Sequence, residues 1–472
     1  MRPLILRDSH RFSALVLFAI VLMSVSSAAS FSSPSETSYD PVYSWSGAAS
    51  MQTPRAFPEV VVLDDGRVLA TGGLGEYGPI ASTEVYDPEY DTWRAGPTMI
   101  SKRVGHTATL LTDGTVLVTG GETGKGTTAS AEVLDVSAGS TTPVGSMHFE
   151  RSGHEALLLD DDRVLIVGGS DWISDPWYQV EAYDPETHSF VPAGSMASGR
   201  VFLSLEKLAG GRVLAISGDS AGTSEVFDPE DGTWSDQRTM MSVRYSAAEA
   251  VSSDGRIVVA GGVLGSTTLS SCEAYDESTG AWGAMPDMTV PRAYFSISRL
   301  PTGDIVAAGS WSDLGTRDSS EMLDPSGSDW SEGPDMAGYR GAHGCAVLDD
   351  GTVMVVGGFA PDGVLASAEI LTWEYELPEL CLPKDIIPLV MQVAPELQGH
   401  AENGFVAQLE AAQAEYDLGD IVECLEIMDA FYHHVKAFWQ SGHMSDASAT
   451  ILYDGYARVV ACLGGTPLPE FP

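Results

Sequence analysis

The amino-acid sequence predicts a mainly β fold in which seven four-stranded repeats surround a central axis. Three observations support this prediction: a near-constant internal period, residues that recur in step with it, and turn signals that divide each repeat into short strands. Four strands in about 40 to 50 residues are typical of the blades of a propeller. We therefore expect a seven-bladed β-propeller.

The period is set by seven apolar stretches that end in a pair of small residues. Successive pairs are separated by 48, 48, 49, 44, 48 and 48 residues. Because glycine has no side chain, we expect these positions to lie where strands approach one another closely. The pairs are Gly72-Gly73, Gly120-Gly121, Gly168-Gly169, Ser217-Gly218, Gly261-Gly262, Gly309-Ser310 and Gly357-Gly358.

An arginine and a glutamate recur at fixed positions in every repeat. We interpret them as a structural network, because buried charges persist when they are paired and hydrogen-bonded. A functional charged rim is the alternative. The arginines are Arg55, Arg103, Arg151, Arg200, Arg244, Arg292 and Arg340, and the glutamates are Glu84, Glu132, Glu181, Glu225, Glu273, Glu321 and Glu369.

The two ends of the repeat region predict how the ring closes. After Glu369 the last repeat lacks a proper fourth strand. Residues 43–51 match the fourth-strand pattern of residues 91–99, although no repeat precedes them. The N-terminal strand is therefore expected to complete the last blade, which removes exposed sheet edges.

The recurring elements, taken in order, resemble the kelch family over roughly residues 42–375. They are an arginine-led strand, a Gly-Gly strand, a Glu-x-Tyr-Asp strand such as the one at Glu84, and a Trp followed six residues later by Met. The resemblance implies a propeller like the central domain of galactose oxidase. That group uses a copper ion held by two histidines, an axial tyrosine and a tyrosine cross-linked to cysteine.

We cannot place this copper-binding set in the sequence, so we predict no metal or cofactor. His106, His154 and His343 each follow a repeat arginine by three residues, and we interpret them as a repeat feature with local hydrogen bonds. The alternative is that they point together toward the axis as metal ligands. A binding protein is the favoured function. The alternative is an exported galactose-oxidase-like copper oxidase or another carbohydrate-active enzyme.

Two irregular loops provide the candidate ligand-binding residues, because aromatic side chains beside carboxylates suit stacking on sugars or peptides. The alternative is that these tryptophans cover the ends of their own blades. The candidates are Asp171, Trp172, Asp175, Trp177 and Tyr178 in loop three, and Trp311, Asp313 and Arg317 in loop six.

The N-terminal residues 1–29 predict a signal peptide. Arg2, Arg7 and Arg11 precede an apolar run over residues 14–25, and Ala29 ends a stretch of small residues. The run is too short to span a membrane. We therefore expect a secreted or extracellular protein without a transmembrane anchor in the mature chain, with cell-surface attachment left open.

The net charge of −42 excludes general binding to nucleic acid. The expected partner is a glycan, a peptide or a protein, and the sequence does not fix the oligomeric state.

The predicted domains are the signal peptide, a linker over residues 30–41, the propeller over 42–375 and a helical domain over 376–472. Apolar residues at helical spacing predict three helices in this last domain, which resembles the FIMAH-type module of exported microbial proteins. Its cysteines, Cys381, Cys424 and Cys462, permit three pairings, and the sequence does not choose among them.

Overall fold

The computed structural model describes residues 41–235, 237–312 and 315–375. In the C-terminal part it describes residues 390, 405–413, 421–440, 444, 448–449, 452–453, 456–457 and 459–460. Residues Pro41–Glu376 form one compact unit. This unit contains seven antiparallel blade sheets, six of four strands and one of five, so the prediction of a mainly β, seven-bladed propeller is confirmed.

The strands of blades 1 to 4 follow one another along the chain. Blade 1 consists of Glu59–Val62, Val68–Thr71, Thr83–Asp87 and Thr92–Ala95, and blade 2 of Thr107–Leu110, Val116–Thr119, Ala131–Asp135 and Ser140–Pro143. Blade 3 consists of Ser152–Leu158, Val164–Ser170, Gln179–Asp184 and Ser189–Ser195. Blade 4 consists of Ser204–Lys207, Val213–Ile216, Thr223–Asp228 and Thr233–Trp234, with Arg238–Thr239 also paired to its third strand and a short 3-10 helix at Ala209–Gly211.

Blades 5 and 6 continue the order, and blade 7 joins the two ends of the ring. Blade 5 consists of Ala248–Val251, Ile257–Ala260, Cys272–Asp276 and Ala281–Met285, and blade 6 of Ser296–Arg299, Ile305–Ser312, Gly315–Leu323 and Trp330–Glu332. Blade 7 consists of Gly344–Val347, Val353–Val356, Ala368–Tyr375 and the N-terminal strand Pro41–Ala48. Two-residue strands form small hairpins at Leu74–Gly75 with Gly78–Pro79, Val263–Leu264 with Thr267–Thr268, and Phe359–Ala360 with Gly363–Val364.

The N-terminal strand closes the ring as the sequence predicts. Pro41–Ala48 pairs antiparallel with Ala368–Tyr375, and Trp45 lies opposite Leu371. This pairing gives blade 7 its fourth strand and joins the two ends of the propeller, so its sheet is not left one strand short.

The paired small residues join each blade to the next one. In every blade the N–H of the second residue donates to the carbonyl of the arginine in the following blade, at 2.7–3.1 Å, and the bond from Gly358 to Arg55 closes the circle. At Gly120 φ is +63°, and a Cβ atom would lie 2.5 Å from the Arg151 carbonyl oxygen. Close approach of neighbouring blades therefore explains the glycines.

The hydrophobic core is divided among the seven interfaces between blades. The second strand of each blade is buried over its β-branched and other apolar residues, as in Val116–Thr119 and Val353–Val356. Separate clusters fill each interface, including the one between blades 7 and 1. The repeat methionines are buried, namely Met51, Met99, Met147, Met196, Met240, Met288 and Met336.

The C-terminal part contains the helix Ile421–Gln440 and helical residues at 405–413. Within this part Phe405 and Phe431 are buried, and their ring centroids lie 5.7 Å apart. The three-helix bundle stays a prediction, as do the signal peptide and linker, because much of 376–472 and all of residues 1–40 lie outside the described residues. None of the described helices combines the length and apolar character needed to cross a membrane.

Candidate functional site

The repeat arginines and glutamates form seven buried ion pairs, one in each blade. The distance from arginine Nη2 to glutamate Oε1 is 2.5–3.0 Å in all seven. In blade 2, Arg103 also donates to the Gly120 and Ser130 carbonyls, and Glu132 accepts from the Ile100 and Ser101 N–H groups. Each pair thus ties the end of a second strand to the segment that enters the blade.

The residue two positions after each repeat arginine forms a ring around the axis, which we call the inner rim. The first strands of most neighbouring blades contact one another around this axis. All seven rim residues have positive φ, at 49–66°, which is the left-handed region disfavoured for non-glycine residues. They are Phe57, Gly105, Gly153, Phe202, Ser246, Tyr294 and Ala342.

Backbone hydrogen bonds between rim residues hold this conformation. Phe57 N–H donates to the Ala342 carbonyl at 2.7 Å, and Ala342 N–H donates to the Tyr294 carbonyl at 2.7 Å. Similar bonds at 2.9–3.2 Å link Gly153 to Gly105, Phe202 to Gly153, and Ser246 to Phe202. Strained backbone persists where its surroundings determine it, and such positions are frequent at ligand sites.

Six aromatic side chains lie in continuous contact across the central opening. Phe202 contacts Trp172 at 5.6 Å and Tyr294 at 6.3 Å between ring centroids, and Tyr294 contacts Trp311 at 5.4 Å. Trp311 is in turn 5.1 Å from Phe359. We call this set the aromatic patch, and its members are Trp172, Phe202, Tyr294, Trp311, Phe359 and Phe57.

The structure divides the predicted loop-three residues. Trp172 belongs to the patch and is 47% exposed. Trp177 instead packs on Phe149 at 4.8 Å and donates its indole N–H to the Glu150 carbonyl at 2.9 Å. Asp171 accepts the N–H groups of Ile173 and Ser174, and these bonds lower its pKa and shape the loop. Asp175 and Tyr178 are exposed.

Loop six contributes one residue to the patch. Trp311 is 39% exposed and lies on the long hairpin of strands Ile305–Ser312 and Gly315–Leu323. Arg317 lies on the same hairpin, and its backbone forms an isolated antiparallel β-bridge with Arg340. The Nε atom of Arg317 is buried without a hydrogen-bond partner. Asp313 lies outside the described residues.

A cavity of about 380 Å³ lies at the axis beside the patch. Rim residues Phe57, Phe202 and Tyr294 line it together with Glu59 and Glu155, the first from blade 1 and the second from blade 3. Glu249 of blade 5 also lines it. The three glutamates are half-buried, because protein surrounds them while the cavity admits water.

Burial raises the pKa of all three cavity glutamates. The pKa of Glu59 rises to about 8 and that of Glu249 to about 7, in both cases mainly because the charged form loses water. Burial raises the pKa of Glu155 well above its usual value, and the charges of Glu59 and Glu249 add to this effect. The site is therefore a small acidic cavity with aromatic groups at its edge.

Comparison with known proteins identifies the repeat. The model of the kelch motif matches residues 55–100, 156–197 and 244–289. The chain contains kelch motifs in a seven-bladed β-propeller. Among solved structures it is similar to a copper-bound fungal alcohol oxidase of the AA5 family, with a TM-score of 0.58 and 18% identity over 72% of this chain and 77% of the oxidase.

A second solved structure, that of YjhT, has a TM-score of 0.48 and 13% identity, covering 60% of this chain and 99% of YjhT. No curated protein matches the kelch propeller in sequence. At 18% identity, the likeness to the oxidase concerns the fold alone.

The residues of this kelch propeller do not fit a copper centre like that of the galactose-oxidase group. Over the described residues, no group of three or more His, Cys, Asp or Glu side chains is arranged to hold a metal ion. The Nε2 atoms of His106, His154 and His343 are hydrogen-bonded to threonine or serine hydroxyls. Burial raises the pKa of Cys272 to about 11, so this thiol stays protonated at neutral pH.

The rim aromatics and the cavity glutamates are not among the candidate residues predicted from the sequence. A signal was present, because Phe57, Phe202 and Tyr294 occupy one register of the repeat, two residues after the arginine. Glu59 and Glu155 share another register, four residues after it. Glu249 lies one position outside this register, five residues after Arg244.

Proposed function

We propose that this kelch propeller is an exported binding protein that holds a glycan, peptide or protein ligand on the aromatic patch. The observation that carries the proposal is the continuous contact of six aromatic rings from blades 1, 3, 4, 6 and 7 across the central opening. Flat aromatic faces bind sugar rings and apolar side chains through large contact areas.

Rigidity supports a binding role for the patch. Phe57, Phe202 and Tyr294 are fixed at their backbones by positive φ and by the hydrogen bonds of the inner rim. Trp172 also has a positive φ, of 61°, and leans on Phe202. A surface that is already ordered loses little conformational entropy when a ligand binds, which favours affinity.

The contrast between two neighbouring tryptophans separates structure from binding. Trp177 uses its indole N–H and its ring to fasten loop three to the segment before blade 3. Trp172 and Trp311 leave much of their surface open, at 47% and 39% exposed. Exposed aromatic area that is concentrated at one place marks interaction sites more often than scattered apolar residues do.

A screen of glycans and peptides on the purified mature protein tests the proposal. We expect the double variant Trp172→Ala/Trp311→Ala to weaken binding of any hit by about tenfold or more, since each aromatic contact contributes about 0.5–1.5 kcal/mol beyond its buried area. The matched control is Tyr90→Ala, which removes a 68% exposed aromatic from the turn before Thr92–Ala95. Equal binding by all three proteins would exclude the patch as the site.

Export is tested separately, by expressing the full chain in a secreting host. We expect the protein in the medium to begin at Ser30, because Ala29 ends the predicted signal peptide. Retention of the full-length chain inside the cells would contradict this part of the proposal.

A further inference from the structure

The cavity beside the aromatic patch contains three carboxyl groups without a cationic partner. Its lining residues include Glu59, Glu155 and Glu249 but no lysine or arginine. The repeat glutamates differ, because each has an arginine within 3.0 Å. Buried carboxylates are usually paired or coordinate a cation.

Two histidines in the same lining provide a second, independent observation. His106 and His154 are only 1% and 3% exposed, and the Nδ1 atom of each has no hydrogen-bond partner. Burial lowers the pKa of His106 to about 3 and that of His154 well below its usual value, so both imidazoles are neutral. Their Nε2 atoms bond threonine hydroxyls. In the tautomer whose Nε2–H donates to the threonine hydroxyl, the free Nδ1 is an acceptor, which suits a ligand that carries N–H donors.

The aromatic rings at the cavity edge add a third contribution. Phe57, Phe202 and Tyr294 belong both to the patch and to the cavity lining. The faces of aromatic rings attract cations, most strongly where water is excluded. The net charge of −42 also raises the local concentration of cations around the whole protein.

We propose that the cavity binds the protonated amine of the ligand that stacks on the aromatic patch. Carboxylates, neutral imidazoles and ring faces all favour an ammonium group and disfavour an anion. The inference rests on the proposed function, because the patch positions the rest of the ligand. It narrows the ligand class to amine-bearing molecules with a flat apolar face.

Binding should therefore strengthen as the pH rises from about 6 to about 8.5. The pKa values of Glu249 and Glu59, about 7 and about 8, place the loss of their protons in this range. The histidines stay neutral throughout it, because burial lowers their pKa values. The other titratable groups around the cavity are Tyr294, Cys345, whose pKa burial raises, and Glu206, which acts on Glu249 and whose pKa burial also raises.

A matched pair of probes tests the inference on the intact protein. Benzylammonium and benzyl alcohol have similar size and the same ring, and only the first carries a charge. By titration calorimetry at about pH 8.5 we expect benzylammonium to bind about tenfold more tightly than benzyl alcohol. At about pH 6 we expect the ratio of the two affinities to fall toward one, because the carboxyl groups are then protonated.

Variants then locate the effect. We expect Glu155→Gln/Glu249→Gln to remove most of the preference for benzylammonium at high pH. The control is Glu332→Gln, which removes one carboxyl group at the exposed end of the Trp330–Glu332 strand, away from the cavity lining. The pH dependence of the affinity ratio in the unmodified protein also tests the role of the cavity glutamates. The inference is therefore tested even if the double variant does not fold.

The outcomes separate this inference from the proposed function. An affinity ratio near one at high pH, with ligand binding that still depends on Trp172 and Trp311, would overturn the amine site and leave the patch intact. An equal loss of preference in Glu332→Gln would overturn it too, because the general acidic surface would then be responsible. If neither probe binds and the screen yields no ligand, both proposals fail.

Discussion

Two sets of glutamates in this propeller have opposite surroundings. Glu132 and its six equivalents are each paired with an arginine and accept backbone N–H groups from the segment that enters the blade. Glu59, Glu155 and Glu249 line the axial cavity, whose lining contains no basic residue except histidine. The first set follows the repeat in every blade, whereas the second occurs in only three. Positions that hold the same residue in every blade therefore build the propeller, and positions whose residue varies from blade to blade form its candidate site.

The difference has a physical cause. A buried carboxylate stays charged at modest cost when an arginine and N–H groups replace its lost water. Where no arginine or N–H group replaces the lost water, burial favours the protonated carboxyl group over the charged one. The pKa of Glu59 therefore rises to about 8. The repeat glutamates thus serve stability, while the cavity glutamates cost stability when they ionise. Sites that cost stability are commonly kept for function.

The largest expected effect comes from breaking one repeat pair. Arg103→Met leaves Glu132 buried beside backbone carbonyls that have lost their donor, so we expect the free energy of unfolding to fall by about 3–5 kcal/mol. Urea denaturation followed by tryptophan fluorescence measures this change. An unchanged free energy of unfolding would exclude a stabilising role for the Arg103–Glu132 pair.

A second variant sharpens this result. Arg103→Met/Glu132→Leu removes both charges, so we expect it to recover part of the lost stability. If the double variant is no more stable than Arg103→Met, the cost does not come from the unpaired carboxylate.

A smaller effect is expected from the pH dependence of stability. Because the pKa of Glu59 is higher in the folded protein, the unfolded chain releases this proton at a lower pH than the folded protein does. The stability that the protonated Glu59 contributes is therefore complete below about pH 4.5 and is lost as the pH rises through about 8. We expect the melting temperature to fall by a few degrees between about pH 7 and pH 9.

The triple variant Glu59→Gln/Glu155→Gln/Glu249→Gln isolates this contribution. Its melting temperature should change much less over the same interval, since glutamine does not titrate. Between about pH 7 and pH 9 the buried His106, His154 and His343 interfere little, because burial keeps them neutral in the folded protein and an unperturbed histidine is mostly neutral above pH 7. Parallel curves for the variant and the unmodified protein would contradict the assignment.

The smallest effect is expected from an exposed ion pair in blade 1. Arg67 and Asp65 lie 2.6 Å apart at Nη2 and Oδ2, but the Asp65 side chain is 54% exposed. Exposed pairs contribute about 0–1 kcal/mol, so Arg67→Met should change the unfolding free energy by less than about 1 kcal/mol. A loss as large as that of Arg103→Met would show that burial is not what separates the two classes of pair.

Much of the fold could be predicted from the sequence. The period, the Arg–Glu spacing and the unpaired strand around Trp45 gave the number of blades and the closure by the N-terminal strand, since each depends on local patterns repeated along the chain. The candidate site was predicted only in part. Trp172 and Trp311 were predicted because they are aromatic residues beside carboxylates in irregular loops, and both belong to the aromatic patch. Trp177 was predicted for the same reason, but it packs on Phe149.

By itself the sequence determined the architecture, because every blade repeats the same local sequence pattern that forms strands, turns and ion pairs. Only the tertiary structure decided the site. Phe57 and Phe359 lie 302 positions apart in the sequence, yet ring closure places their rings 6.0 Å from each other. The same closure brings Glu59, Glu155 and Glu249 to one cavity from three separate blades. Such contacts depend on the shared axis, which no single repeat contains.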